Sequence, residues 1–221
     1  MLKKTQLSAL VAAVVLTGAT TASAEISGNV TIATDYLFRG VSQTAEKGAI
    51  QGGFDYSAES GFYAGIWASN VEYGDGSESS TEMDYYFGYA GEMGALGYDV
   101  SYIYFDYEGD EGFDYQELAL GFSYGDLSFG VNYSDEYLGD GGPNFYYPYV
   151  GYSFALMEGL ALDLHYGHSD IDAPGASYDD YSATLGFSAG GVDFGLTFAG
   201  TDLDDEPLAD DRLVFSISKS L

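Results

Sequence analysis

The chain contains no cysteine, which excludes disulfides and thiolate metal sites. Bases are scarce: six Lys and Arg stand against 35 Asp and Glu, a formal net charge of −29. Recognition of a phosphate backbone needs the opposite sign, so a nucleic-acid partner is excluded. Nucleotide-binding loops, zinc-ligand spacings and nucleophile elbows are absent as well. Long apolar runs are missing too. The longest, Leu7–Leu16, is too short to span a bilayer as a helix, so any membrane insertion must use strands.

That single run has its own explanation. Lys3 and Lys4 precede it, and Ala22-Ser23-Ala24 supplies small residues at a cleavage point. These are the parts of a secretory signal peptide over 1–24, cut before Glu25, leaving 25–221 as one domain.

What the chain has in excess is tyrosine (22) and glycine (31). Aromatic girdles at the two membrane interfaces, and glycine where strands bend and crowd, account for both. The dominant pattern has period two. Val192, Phe194, Leu196 and Phe198 alternate with Asp193, Gly195, Thr197 and Ala199; Leu213, Phe215 and Ile217 alternate with Val214, Ser216 and Ser218. Such alternation gives strands with one apolar face and one small or polar face.

Twelve segments of this kind are predicted, near 26–38, 49–58, 61–73, 82–91, 95–107, 114–124, 126–136, 145–156, 159–169, 179–189, 191–200 and 211–221. Connectors after even-numbered segments are short (Glu59-Ser60, Gly91–Gly94, Gly125, Met157-Glu158, Gly190). Those after odd-numbered segments are longer and polar (Arg39–Gly48, Gly74–Thr81, Glu108–Phe113, Tyr137–Asn144, Asp170–Tyr178, Thr201–Asp210). An even number of strands with short turns on one side and long loops on the other predicts an all-β fold. It is a twelve-stranded, up-and-down, antiparallel transmembrane β-barrel.

The acids sort by position. Most fall in or beside the longer loops, where they either coordinate divalent cations shared with lipopolysaccharide phosphates or form solvated loops. Seven fall on predicted strands: Asp35, Asp55, Asp84, Asp99, Glu117, Asp163 and Asp193. Each lies opposite its strand's large apolar residues, hence toward the lumen, where the acids either favour cations or only solvate the interior. Arg39, on the side of Asp35, is placed to constrict a pore or to pair with an inward acid. His165 shares a face with Asp163, and His168 lies near the rim. Proximity of His to a carboxylate is one element of hydrolytic chemistry, but no third partner or oxyanion site accompanies it. No catalytic, cofactor or metal site is therefore assigned.

Three stretches carry more than alternation: Thr34-Asp35-Tyr36-Leu37-Phe38-Arg39-Gly40-Val41-Ser42-Gln43-Thr44, then Ala49-Ile50-Gln51-Gly52-Gly53-Phe54-Asp55-Tyr56, then Gly61-Phe62-Tyr63-Ala64-Gly65-Ile66-Trp67-Ala68-Ser69-Asn70-Val71. Here the chain resembles the TorF family of porin-like proteobacterial outer-membrane proteins. The resemblance implies an outer-membrane β-barrel of a Gram-negative bacterium with a transport role. The family has no established substrate, so no binding residues carry over. One departure is the final strand, which ends in Lys219 and Leu221 where such strands commonly carry aromatics. The reading that follows is passive diffusion of small hydrophilic solutes, with cations preferred. The expected partners are outer-membrane lipid, lipopolysaccharide and, during biogenesis, the outer-membrane assembly machinery. A closed structural barrel with acidic loops, and a small hydrolase using His165, are the alternatives.

Overall fold

The computed structural model describes residues 24–73 and 79–221. The expected signal peptide, apart from Ala24, and part of the Gly74–Thr81 connector lie outside the described residues.

Twelve long strands close into one antiparallel barrel. They are β1 (Glu25–Ala33), β4 (Ala49–Ser57), β5 (Phe62–Asn70), β6 (Thr81–Met93), β7 (Leu96–Tyr107), β8 (Tyr115–Tyr124), β9 (Leu127–Ser134), β10 (Phe145–Met157), β11 (Leu160–Ile171), β12 (Tyr178–Ala189), β13 (Val192–Thr201) and β14 (Arg212–Ser220). Each pairs with its neighbour, and β1 closes the ring by pairing with both β4 and β14. Two further strands, β2 (Leu37–Phe38) and β3 (Val41–Ser42), form a separate small hairpin.

The strands are long because nothing in the alternation interrupts them. The turns are short because glycine stands where the chain reverses. Gly190 and Gly191 carry φ of 64° and 75°, the pair of left-handed conformations required by a tight two-residue hairpin. Several strands run further into the turns than the alternation predicts. β6, for example, continues to Met93, leaving Gly94-Ala95 as the turn.

Register places the apolar faces side by side around the outside. Leu162 pairs with Leu185, Leu185 with Leu196, and Leu196 with Phe215. Leu185, Leu196 and Phe215 remain 38–45% exposed. So continuous an exposed apolar band is the surface of a barrel immersed in lipid. Lys219, outward on β14, donates its amine to the Gly191 carbonyl at 3.0 Å, at the turn end of the barrel.

The first connector departs from expectation. Alternation carries the predicted first strand through Phe38, but β1 ends at Ala33 and the chain then leaves the wall. Residues 35–44 fold inward, while 46–48 stay exposed as the return to the wall. Asp35, Tyr36, Arg39, Ser42 and Thr44 are all buried. The period-two pattern persists because β2 and β3 are themselves extended, but they pair with each other instead of with the barrel.

Candidate functional site: the carboxylate-lined lumen and its hairpin

The inward hairpin is held at its base by Asp35. Ser42 Oγ and Thr44 Oγ1 donate to Asp35 Oδ1 at 2.7 and 2.8 Å, and Arg212 Nη1 of β14 donates to Asp35 Oδ2 at 3.1 Å. Its tip is Arg39-Gly40, with φ of 50° and 80°. Both are left-handed, as the twist of a two-residue hairpin demands. Arginine pays roughly 1–2 kcal/mol for that conformation relative to its normal one. Gly40 is needed for space as well: a Cβ there would lie 2.5 Å from Thr201 Cγ2 and 2.9 Å from the Gly200 carbonyl oxygen. The hairpin thus starts at β1, enters the bore and presses its tip glycine against β12 and β13, three and two strands round the ring from β1.

The strain at Arg39 is offset by what its side chain meets. Nη1 and Nη2 donate to the two oxygens of Glu117 on β8 at 2.8 and 2.7 Å, a bidentate pair with both side chains at most 5% exposed. Asn132 Nδ2 on β9 donates to Glu117 Oε2 at 2.8 Å. Aromatic rings surround the guanidinium: Cζ lies 4.4 Å from the Phe38 centroid, 4.6 Å from Phe145 and 4.3 Å from Tyr147. These are cation–π distances. Around this cage Phe105, Tyr107, Tyr115 and Tyr137 complete a buried aromatic cluster inside the barrel.

Much of the tyrosine excess is therefore spent inside the lumen rather than on the girdles alone. Parity along the strands contains this information, since Tyr115 shares a face with Glu117, and Tyr147 and Tyr149 share one with Gly151.

The seven acids expected in the lumen fall into two tiers. On the loop side, Asp35 and Glu117 hold the two arginines, and Asp84 on β6 is buried. On the turn side, Asp55, Asp99, Asp163 and Asp193 are only half-buried. The hydroxyl of Tyr86 donates to Asp55, that of Tyr63 to Asp99 at 2.8 Å, and that of Ser188 to Asp193. Asp163 sits in register between Ser153 and Thr184. Nearby inward positions Ser57, Ser123 and Ser128 are solvent-exposed. The turn-side half is thus a wet, acidic vestibule, and the loop-side half is packed.

Two inward acids escape the sequence reading. Glu82 and Asp180 look like loop-flanking residues, yet they are 2% and 3% exposed and face inward. The signal was parity with Asp84 and Ser182: both acids lie inside the predicted segments 82–91 and 179–189, on the inward face, but at the loop ends where they read as flanking residues.

His165 does point inward, but its contacts are with Tyr147 and Asp180 rather than Asp163. Nε2 lies 2.8 Å from Tyr147 Oη and 3.4 Å from Asp180 Oδ1. No serine or threonine hydroxyl bonds it among the described residues. His168 faces outward at the rim, bonded to Asp179.

Solved structures of proteins described as porins share this architecture. The "KdgM porin" superposes with a TM-score of 0.59 at 6% identity, covering 88% of this chain and 97% of that one. The "NanC porin" superposes with a TM-score of 0.56 at 8% identity, covering 88% and 98%. At such identities the likeness is one of fold. No curated protein sequence matches. A family model described as "Bacterial protein of unknown function" spans residues 17–220, and the chain belongs to that family, Gcw_chp.

Proposed function

We propose that the chain is a porin-like channel of the bacterial outer membrane, passing small hydrophilic solutes with a preference for cations. The supporting observation is the turn-side tier. Asp55, Asp99, Asp163 and Asp193 come from β4, β7, β11 and β13, spread around the wall, and none pairs with a base among the described residues. Their fields add inside a low-dielectric wall, where they concentrate cations and repel anions. The TorF-like stretches support the same reading, as does the porin-type fold. On this reading the partners are outer-membrane lipid, lipopolysaccharide (with divalent cations bridging it to the outer acids), the permeating solutes and the assembly machinery. The role is transport, not catalysis.

A second reading has its own observation. The loop-side half is packed with aromatics around Arg39, which favours a closed barrel whose acids solvate the interior. Planar-bilayer recording on purified protein separates the two. Under a potassium chloride gradient the reversal potential is expected on the cation side. The preference should shrink at high salt, through screening, and when Asp99→Asn and Asp163→Asn are combined. Anion preference in an open channel refutes the electrostatic argument, and a complete lack of conductance favours the closed barrel.

A further inference from the structure

Glu82 and Asp84 stand two apart on β6 and so face the lumen together. They are 2% and 7% exposed, and Glu82 Oε2 and Asp84 Oδ1 each lack a hydrogen-bond partner. Glu82 Oε1 accepts a hydrogen bond from Tyr36 of the hairpin, at 3.3 Å.

A buried carboxyl either carries a counter-charge or stays protonated, because desolvating an unpaired charge is expensive. No counter-charge comes from the described residues. Arg39 is engaged by Glu117, Arg212 by Asp35 and Glu46, Lys47 by Glu72, and Lys219 by a backbone carbonyl. Those are all the Lys and Arg among the described residues.

A third oxygen points the same way. Tyr115 of β8 is 1% exposed, and its hydroxyl also lacks a partner. Its ring stacks on Tyr107, at 6.5 Å between centroids, and Tyr107 is the cross-strand partner of Glu82. Three buried, unpartnered oxygens thus occur on the inner faces of β6 and β8, the strands on either side of β7, where no described base faces the two acids.

We infer that Glu82 and Asp84 bind a hard divalent cation of the calcium class inside the barrel, with the Tyr115 hydroxyl contributing directly or through water. Carboxylate and hydroxyl oxygens suit such an ion, which takes six to eight oxygen ligands at flexible geometry. Water supplies the remainder, since no three acidic or histidine side chains form a common metal-binding group among the described residues. The ion supplies the charge that the bases do not, and through Glu82 and Tyr36 it fastens the hairpin to β6. This deepens the cation preference proposed above, but its test measures no current and so stands apart from whether the lumen conducts.

Trp67 is the chain's only tryptophan and the cross-strand partner of Asp84, which makes it a local reporter. Terbium, a luminescent stand-in for calcium, is titrated into the folded protein in phosphatidylcholine vesicles with Trp67 excited. Expected is saturable sensitised emission that calcium displaces and that Trp67→Phe removes. Glu82→Gln with Asp84→Asn should weaken the binding at least tenfold, while weaker binding by the loop acids persists. Tyr115→Phe, which keeps the ring stack, should weaken it severalfold and serves if the double variant does not fold. Lack of sensitised emission from the wild-type protein, or affinity unchanged in the variants, overturns the site.

Discussion

Replacing Arg39 with alanine tests whether one ion pair holds the hairpin docked inside the bore. Glu117 is fully buried, and Arg39 neutralises it bidentately; after the substitution it keeps only the amide of Asn132. Breaking a buried pair from one side costs about 3–5 kcal/mol, because the remaining charge is stranded. Loss of the cation–π contacts adds to this, while relief of the left-handed strain subtracts a smaller amount. The base of the hairpin is untouched, since Asp35 still binds Ser42, Thr44 and Arg212. The cost therefore falls on docking of the tip rather than on the barrel. At 1.4 kcal/mol per tenfold, the undocked fraction should rise on the order of a hundredfold to a few thousandfold. Single-channel recording should show larger or more frequent openings. Arg39→Met combined with Glu117→Leu removes both charges and fills the space with apolar groups, so it should restore wild-type currents. Arg39→Ala currents and urea-unfolding midpoints equal to those of wild type would refute the assignment of the pair as the latch.

The outer surface can be tested by paired substitutions on β13. Leu196→Arg puts a charge in the lipid-facing row and should destabilise folding into bilayers by about 2–4 kcal/mol; Thr197→Arg, facing the lumen, should cost much less, and equal costs in urea titrations would contradict the face assignment. For topology, an epitope tag after Asp204, in the long connector between β13 and β14, should be reached by antibody on intact cells. The same tag at Gly190 should be shielded, and labelling there from outside would invert the orientation.

The wall of this barrel was legible in the chain because its information is local. Leu196 faces lipid and Thr197 the lumen through strand geometry alone, and Gly190-Gly191 reverses the chain through its own backbone preference. Twelve strands and the short-turn side follow from such patterns, as does the inward placement of Asp99 and Asp163. The interior of the loop-side half was not legible, for the same reason. Arg39 meets Glu117 across 78 positions of sequence, and Asp35 meets Arg212 across 177. An extended segment such as Leu37–Ser42 alternates equally well in the wall or in an inward hairpin. Only closure of the ring decides between them, by bringing Glu117, Phe145 and Tyr147 around the one buried guanidinium that can satisfy the acid. Sequence by itself determined which face each wall residue presents. The tertiary structure decided what fills the space those faces enclose, because burial and counter-charge depend on the strands opposite.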